Sequence, residues 1–189
     1  MRIALVSDTH LPRFGRVLPR ALVEGIGSAQ VELILHLGDF TEPFVPALFE
    51  ALAPFDAVAG NNDGDQLVRR FGRRKLLELD GVRVGLAHGD LGLGGTSAER
   101  ARRAFAAEGV AVVLFGHSHA PFVERVPGGP LVVNPGSPTD KRTRRATRGA
   151  CWSSSRARRG SRSASSTIGR RNPPDAVASG RCRPDTGSS

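Results

Sequence analysis

The stretch Ile3-Ala4-Leu5-Val6-Ser7-Asp8-Thr9-His10 sets the reading of the whole chain. Four apolar residues, enough for a buried strand, run directly into a polar turn that carries a carboxylate and an imidazole. The arrangement recurs four times. Leu33-Ile34-Leu35-His36-Leu37 leads into Gly38-Asp39, and residues 55–59 lead into Gly60-Asn61-Asn62-Asp63. Residues 82–87 lead into His88-Gly89-Asp90, and residues 110–115 into Gly116-His117-Ser118-His119. In α/β sheets, ligands bind beyond the carboxyl ends of the strands, so these five clusters are expected to converge on one rim.

Helical patterns fill the gaps. Residues 17–26 have helical spacing, and Val45, Leu48, Phe49 and Leu52 share one helical face behind Glu42-Pro43. Residues 97–107, rich in Ala, Arg and Glu, predict a further helix. Asp80-Gly81 predicts a hairpin between residues 76–79 and 82–87. Pro127-Gly128-Gly129-Pro130 predicts a second, between residues 122–126 and 131–133. The opening β-α-β-α-β order predicts a layered α/β fold, with the hairpins in a mixed sheet or in a second sheet packed on the first.

A chain of 189 residues suits one such domain with a sizeable core. No stretch approaches the ~18–20 apolar residues of a membrane span. The first apolar run is too short for a signal-peptide core, so a cytoplasmic protein is expected. Both cysteines, Cys151 and Cys182, come late, which argues against a disulfide framework or thiolate metal site in the first 150 residues. The net charge of +9 is unevenly placed: residues 1–139 hold 14 Lys and Arg against 15 Asp and Glu, and residues 140–189 hold 13 against 3. Any nucleic-acid binding must therefore rest on the tail.

Residues 140–189 contain no Leu, Phe or Met, and ten of the fifteen serines. Such a segment buries too little apolar surface to offset its ordering entropy. The chain thus divides into a domain over residues 1–145 and a basic Ser/Arg-rich tail over 146–189, expected to be disordered. Back-translated with G/C-ending codons and read one base earlier, residues 151–155 become an apolar run of the type Leu-Val-Val-Glu, and residues 163–166 a Val-rich one. A frameshift that replaced the last strands would produce such a tail.

The polar clusters offer carboxylates, imidazoles and an amide oxygen, a donor set that suits Mn, Fe, Zn, Ni or Co. The candidate ligands are Asp8, His10, Asp39, Asn61, His88, His117 and His119. The fifth histidine, His36, lies within an apolar strand and reads as core. Asp63 and Asp90 read as turn caps or as residues that hold the ligands. Arg69, Arg70, Arg73, Arg74 and Lys75 read as a solvated face, and Asn134-Pro135-Gly136-Ser137 as a strand-ending turn.

The order Asp-x-His, Gly-Asp, Gly-Asn-x-Asp, His-Gly, Gly-His-x-His resembles the calcineurin-like metallophosphoesterase superfamily. The short length and Asn134-Pro-Gly-Ser resemble its small YfcE-type phosphodiesterase branch. The resemblance covers residues 1 to about 145. It implies a four-layer α/β/β/α sandwich of two mixed sheets. It also implies two divalent ions, manganese first, with Fe, Zn, Ni or Co as alternatives. One ion would take Asp8, His10, Asp39 and His119, and the other Asp39, Asn61, His88 and His117, with Asp39 bridging. Asp39, Asn61 and His117 would act catalytically, through the metals and the substrate phosphate. A metal-bridging hydroxide would attack phosphorus in line. The implied partner is a small phosphate ester, with homo-oligomers left open.

One departure concerns Asn62. Many larger superfamily members carry Gly-Asn-His here, and an asparagine is no general acid at neutral pH. A preference for good leaving groups, as in activated aryl phosphodiesters, is therefore expected. The rival reading is a non-catalytic protein-binding scaffold on the same fold, as in the retromer subunit that resembles this branch.

Overall fold

The computed structural model describes residues 1–140 and the backbone of a strand at 150–153. The expectation of a disordered tail falls mainly on residues 154–189, which lie outside the described residues.

Two sheets carry the fold. The first runs β3 (Phe55–Ala57), β2 (Leu33–His36), β1 (Arg2–Val6), β9 (Ala150–Ser153). Strands β1, β2 and β3 are parallel, with Ile3 opposite Leu33 and Ile34 opposite Phe55. Strand β9 lies antiparallel to β1, with Ala4 opposite Cys151. The second sheet runs β4 (Arg74–Leu79), β5 (Val82–Ala87), β6 (Val112–Leu114), β8 (Leu131–Asn134), β7 (Phe122–Arg125). Its two outer pairs are antiparallel hairpins, and β5, β6 and β8 are parallel. Both sheets are thus mixed.

Side-chain alternation assigns the layers, because successive residues of a strand face opposite ways. Ile3 and Leu5 of β1 and Leu35 of β2 point between the sheets, against Val84, Leu86, Val112 and Leu114. Ala4, Val6 and Ile34 point the other way. They pack on Ile26 of α1 (Arg20–Ser28), on Val45 and Phe49 of α2 (Val45–Glu50), and on Leu67 and Phe71 of α3 (Asp65–Phe71). On the far side of the second sheet, Val113 and Val132 meet Ala101 of α4 (Ser97–Arg103) and Phe105. The result is an α/β/β/α sandwich. Strands buried on both faces are apolar throughout, which explains why β1 and β2 lack an alternating pattern in the sequence.

Two elements depart from the sequence reading. Helix α3 occupies seven residues after Gly64, where only a polar loop and a basic cluster were expected. Strand β9 forms beyond the domain end placed at residue 145.

The basic cluster is largely the solvated face expected, with Arg69, Arg70 and Arg74 exposed and Arg73 and Lys75 half-buried. Each member also meets a carboxylate: Arg69 with Asp65, Arg70 with Glu50, Arg73 with Asp90, Arg74 with Glu108 and Lys75 with Asp56. Among the described residues, no helix is long and apolar enough to cross a membrane.

Candidate metal centre

The site lies at the seam of the two sheets, beyond the carboxyl ends of β1, β2, β3, β5 and β6. The β1–β2 ladder continues past its strands, with Asp8 N–H donating to Gly38 O and His10 N–H to Asp39 O, both at 3.0 Å. Two bonds then tie the sheets together. His88 Nδ1 donates to Leu37 O at 2.7 Å, and His117 N–H donates to the Asp8 carboxylate at 3.0–3.2 Å.

Tight turns aim the candidate ligands back into the seam. Asp8, His10, Asp39, His117 and His119 all have positive φ, between 45° and 68°. Left-handed backbone at five non-glycine residues is costly and clusters where surrounding structure enforces it. The neighbouring glycines make room. A Cβ on Gly38 would come 2.7 Å from both Gly60 N and His88 Nδ1, one on Gly60 would overlap the Asp39 carboxylate, and one on Gly116 would lie 2.6 Å from Ser7 Oγ.

The ligating atoms of Asp8, His10, Asp39 and His119 all lie within 4.8 Å of one another. These are the four residues that the resemblance assigns to one ion. His10 Nε2 and His119 Nε2 face each other at 3.2 Å, and their rings stack. His119 Nε2 is 3.4 Å from Asp8 Oδ1, and His10 Nε2 is 3.6 Å from Asp39 Oδ2. His88 joins from the second sheet, with Nε2 3.2 Å from Asp39 Oδ2 and 3.9 Å from Asp8 Oδ1. His117 stands edge-on to His88, ring centroids 5.1 Å apart, at the partly exposed rim. Asn61 is the outlier of the seven. It lies exposed on the loop after β3 and makes no hydrogen bond among the described residues.

Residues outside that set hold it in place. Asp63 accepts backbone N–H bonds from Asp39 (2.9 Å), Thr41 (2.8 Å) and Gly60 (2.7 Å), which locks the loops after β2 and β3 together. Asn62 donates to both Asp39 oxygens, from its backbone N–H at 2.9 Å and its side-chain amide at 2.7 Å. Ser7 Oγ donates to the Asp8 carboxylate. His36 is fully buried and stacks on Phe40; its Nδ1 accepts from Gly38 N–H, and its Nε2 meets Thr9 Oγ1. The core reading of His36 therefore holds. Arg73 reaches both Gly60 O and Asp90, linking the loops that carry Asn61 and His88. The sequence flagged Asp63 and Asp90 as supports, but carried no signal for Ser7 or for Asn62 as the clamp on Asp39.

The electrostatics describe a site that needs cations. Burial pushes Asp8 up to about 6, a rise that His88 and Ser7 only partly offset. Asp39 is also penalised by burial, yet the adjacent His88 ring and its charge, with the Asn62 donors, hold it well below the usual carboxylate range. Burial disfavours a charged His88, but Asp39 and Asp8 override it and raise the imidazole to about 9. Burial, then the His88 charge, lowers His117. Metal-free, a proton on His88 offsets only part of the charge of the two carboxylates. The Nε2 of that ring is buried without a well-formed hydrogen bond. A buried donor set of carboxylate oxygens and imidazole nitrogens, aimed at one another and only partly balanced by a borrowed proton, fits divalent metal ions.

Comparison with known proteins agrees. The model of the "calcineurin-like phosphoesterase superfamily domain" matches residues 1–155. A probable metallophosphoesterase of Methanothermobacter thermautotrophicus is 37% identical over 143 residues, covering 74% of this chain and 78% of that protein. A phosphodiesterase of Methanocaldococcus jannaschii is 30% identical over 150 residues, covering 72% and 83%. Among solved structures, an archaeal phosphodiesterase is 31% identical, with TM-score 0.56 over 72% of this chain and 84% of that one. Vps29 of Chaetomium thermophilum has TM-score 0.68 over 82% and 85%, but at 16% identity it shows a shared fold alone. Sequence motifs, sandwich architecture and family match together place this chain in the calcineurin-like phosphoesterase superfamily.

Proposed function

We propose that the chain is a metal-dependent phosphodiesterase that works on a small-molecule phosphate ester with two divalent ions, manganese the first to test. The observation that carries the reading is the convergence of Asp8, His10, Asp39 and His119 within 4.8 Å, with His88 Nε2 3.2 Å from Asp39 on the other side. Asp39 faces both His10 and His88, the position a shared ligand requires. Asp8, His10 and His119 would complete one half of the centre, and His88, His117 and Asn61 the other. Two ions held there would polarise the phosphate, stabilise the leaving oxygen and supply an attacking oxygen from water near neutral pH.

The chain's own residues would do the rest. The Asn62 clamp fixes both oxygens of Asp39, so the shared ligand is preorganised. His117, at the partly exposed rim, where burial and then the His88 charge favour the neutral ring, would keep its lone pair available and face incoming substrate. Asn62 offers no titratable proton to a leaving alkoxide, so catalysis would depend on leaving groups that depart unassisted. A cytoplasmic location goes with this reading.

The test is hydrolysis of a panel of aryl and alkyl phosphodiesters and monoesters by protein stripped of metal and reloaded with Mn²⁺. Activated aryl diesters should be cleaved fastest, with rates falling as leaving-group pKa rises. Asp39→Asn and His117→Ala should each lose several orders of magnitude. If both variants remain active, the assignment is wrong. A scaffold on the same fold would show no hydrolysis with any ion.

A further inference from the structure

We propose that Asp140 is a positioning carboxylate for His119. It would fix the ring so that Nε2 serves the metal, and make the half of the centre that contains Asp8, His10, Asp39 and His119 the tighter one. The inference rests on the metal reading above and deepens it.

The observation is a close contact between the two largely buried groups, at ion-pair distance and not aligned as a hydrogen bond. Asp140 Oδ2 lies 3.0 Å from His119 Nδ1, and the two side chains are only 16% and 4% exposed. The other ring nitrogen faces the cluster, 3.4 Å from Asp8 Oδ1 and 3.2 Å from His10 Nε2. With its Nδ1–H turned onto that carboxylate, the ring would leave the Nε2 lone pair free to ligate and raise its basicity. The contrast with His88 gives the asymmetry. His88 Nδ1–H is held by the neutral carbonyl of Leu37, a weaker acceptor than a carboxylate.

The backbone around Asp140 is fixed independently of its carboxylate. Ser137 Oγ donates to Asp8 O at 2.7 Å and accepts the Asp140 N–H at 2.9 Å. Thr139 Oγ1 donates to Thr9 O at 2.9 Å, and Ser137 N–H donates to His119 O at 3.3 Å. Residues 137–140 therefore strap together the loops that carry Asp8 and His119. Replacing the Asp140 side chain alone leaves every one of those bonds in place.

The experiment is calorimetric titration of stripped full-length protein with Mn²⁺, for wild type, Asp140→Asn and Asp140→Ala, alongside the melting temperature without metal. Asp140→Ala should weaken one of two binding events about 10–100-fold and leave the other as in wild type. Asp140→Asn, whose amide oxygen still accepts the Nδ1–H, should lose less. Both variants should melt like wild type without metal. Wild-type binding of both ions by Asp140→Ala overturns this inference alone. Equal weakening of both ions with a lowered metal-free melting temperature overturns it too, since that marks a structural role. A wild type that binds no ion overturns the metal reading and takes this inference with it.

Discussion

His88 holds the charge balance of the metal-free site. Its imidazole is raised from 6.5 to about 9 by Asp39 and Asp8. A group whose pKa is higher when folded adds stability that is fully present below its unfolded value and lost as pH rises through the folded one. The metal-free protein should therefore become less stable between about pH 6.5 and 9. Metal binding needs the unprotonated ring, so it should release a proton near pH 7.5 and tighten with rising pH through that window. Thermal melts with and without Mn²⁺, and titrations in buffers of different ionisation enthalpy, check both. A metal-free melting temperature that rises from pH 6.5 to 9, or binding without proton release, contradicts the account. At this scale the candidate ligands were legible in the sequence because each follows an apolar run that names its strand end. Their supports were not. Asn62 reaches Asp39 across 23 positions and Asp140 reaches His119 across 21, and such distances carry no local pattern.

Elements show where local chemistry and site geometry part company. Helix α4 starts with a full capping box: Thr96 accepts from Glu99 N–H, and Glu99 accepts from Thr96 N–H. Thr96→Ala should cost about 1 kcal/mol of stability and leave metal binding untouched. Gly38 is the opposite case. At φ +94° its Cβ would meet Gly60 N and His88 Nδ1, so Gly38→Ala should separate the β2 and β3 loops from His88 and abolish metal binding. Denaturant unfolding and metal content measured on both variants separate the two effects; retained metal in Gly38→Ala would contradict the packing described. The paired strands and α4 were readable from periodicity and turn residues. Helix α3 was not, because its apolar side is only Leu67 and Phe71, too little to outweigh the polar loop before it. Strand β9 was not either, because Ala-Cys-Trp-Ser lies in a segment otherwise poor in apolar residues.

Across the whole molecule, the proposed centre depends on two sheets packed face to face, with their strands ending at one seam. The first sheet brings Asp8, His10 and Asp39, with Asn61 on its third loop, and the second brings His88, His117 and His119. The inter-sheet core of Ile3, Leu5, Leu35, Val84, Leu86 and Val112 sets their separation. The β-α-β order made the first sheet legible, and the hairpin turns made the second. Which faces meet followed only once both were seen to be apolar on each side. The most direct test of the central claim is anomalous diffraction from crystals of the full-length protein soaked in Mn²⁺. The account predicts two peaks: one among Asp8, His10, Asp39 and His119, the other beside His88 and His117, with Asp39 between them. A single peak, or none within the seam, would contradict it.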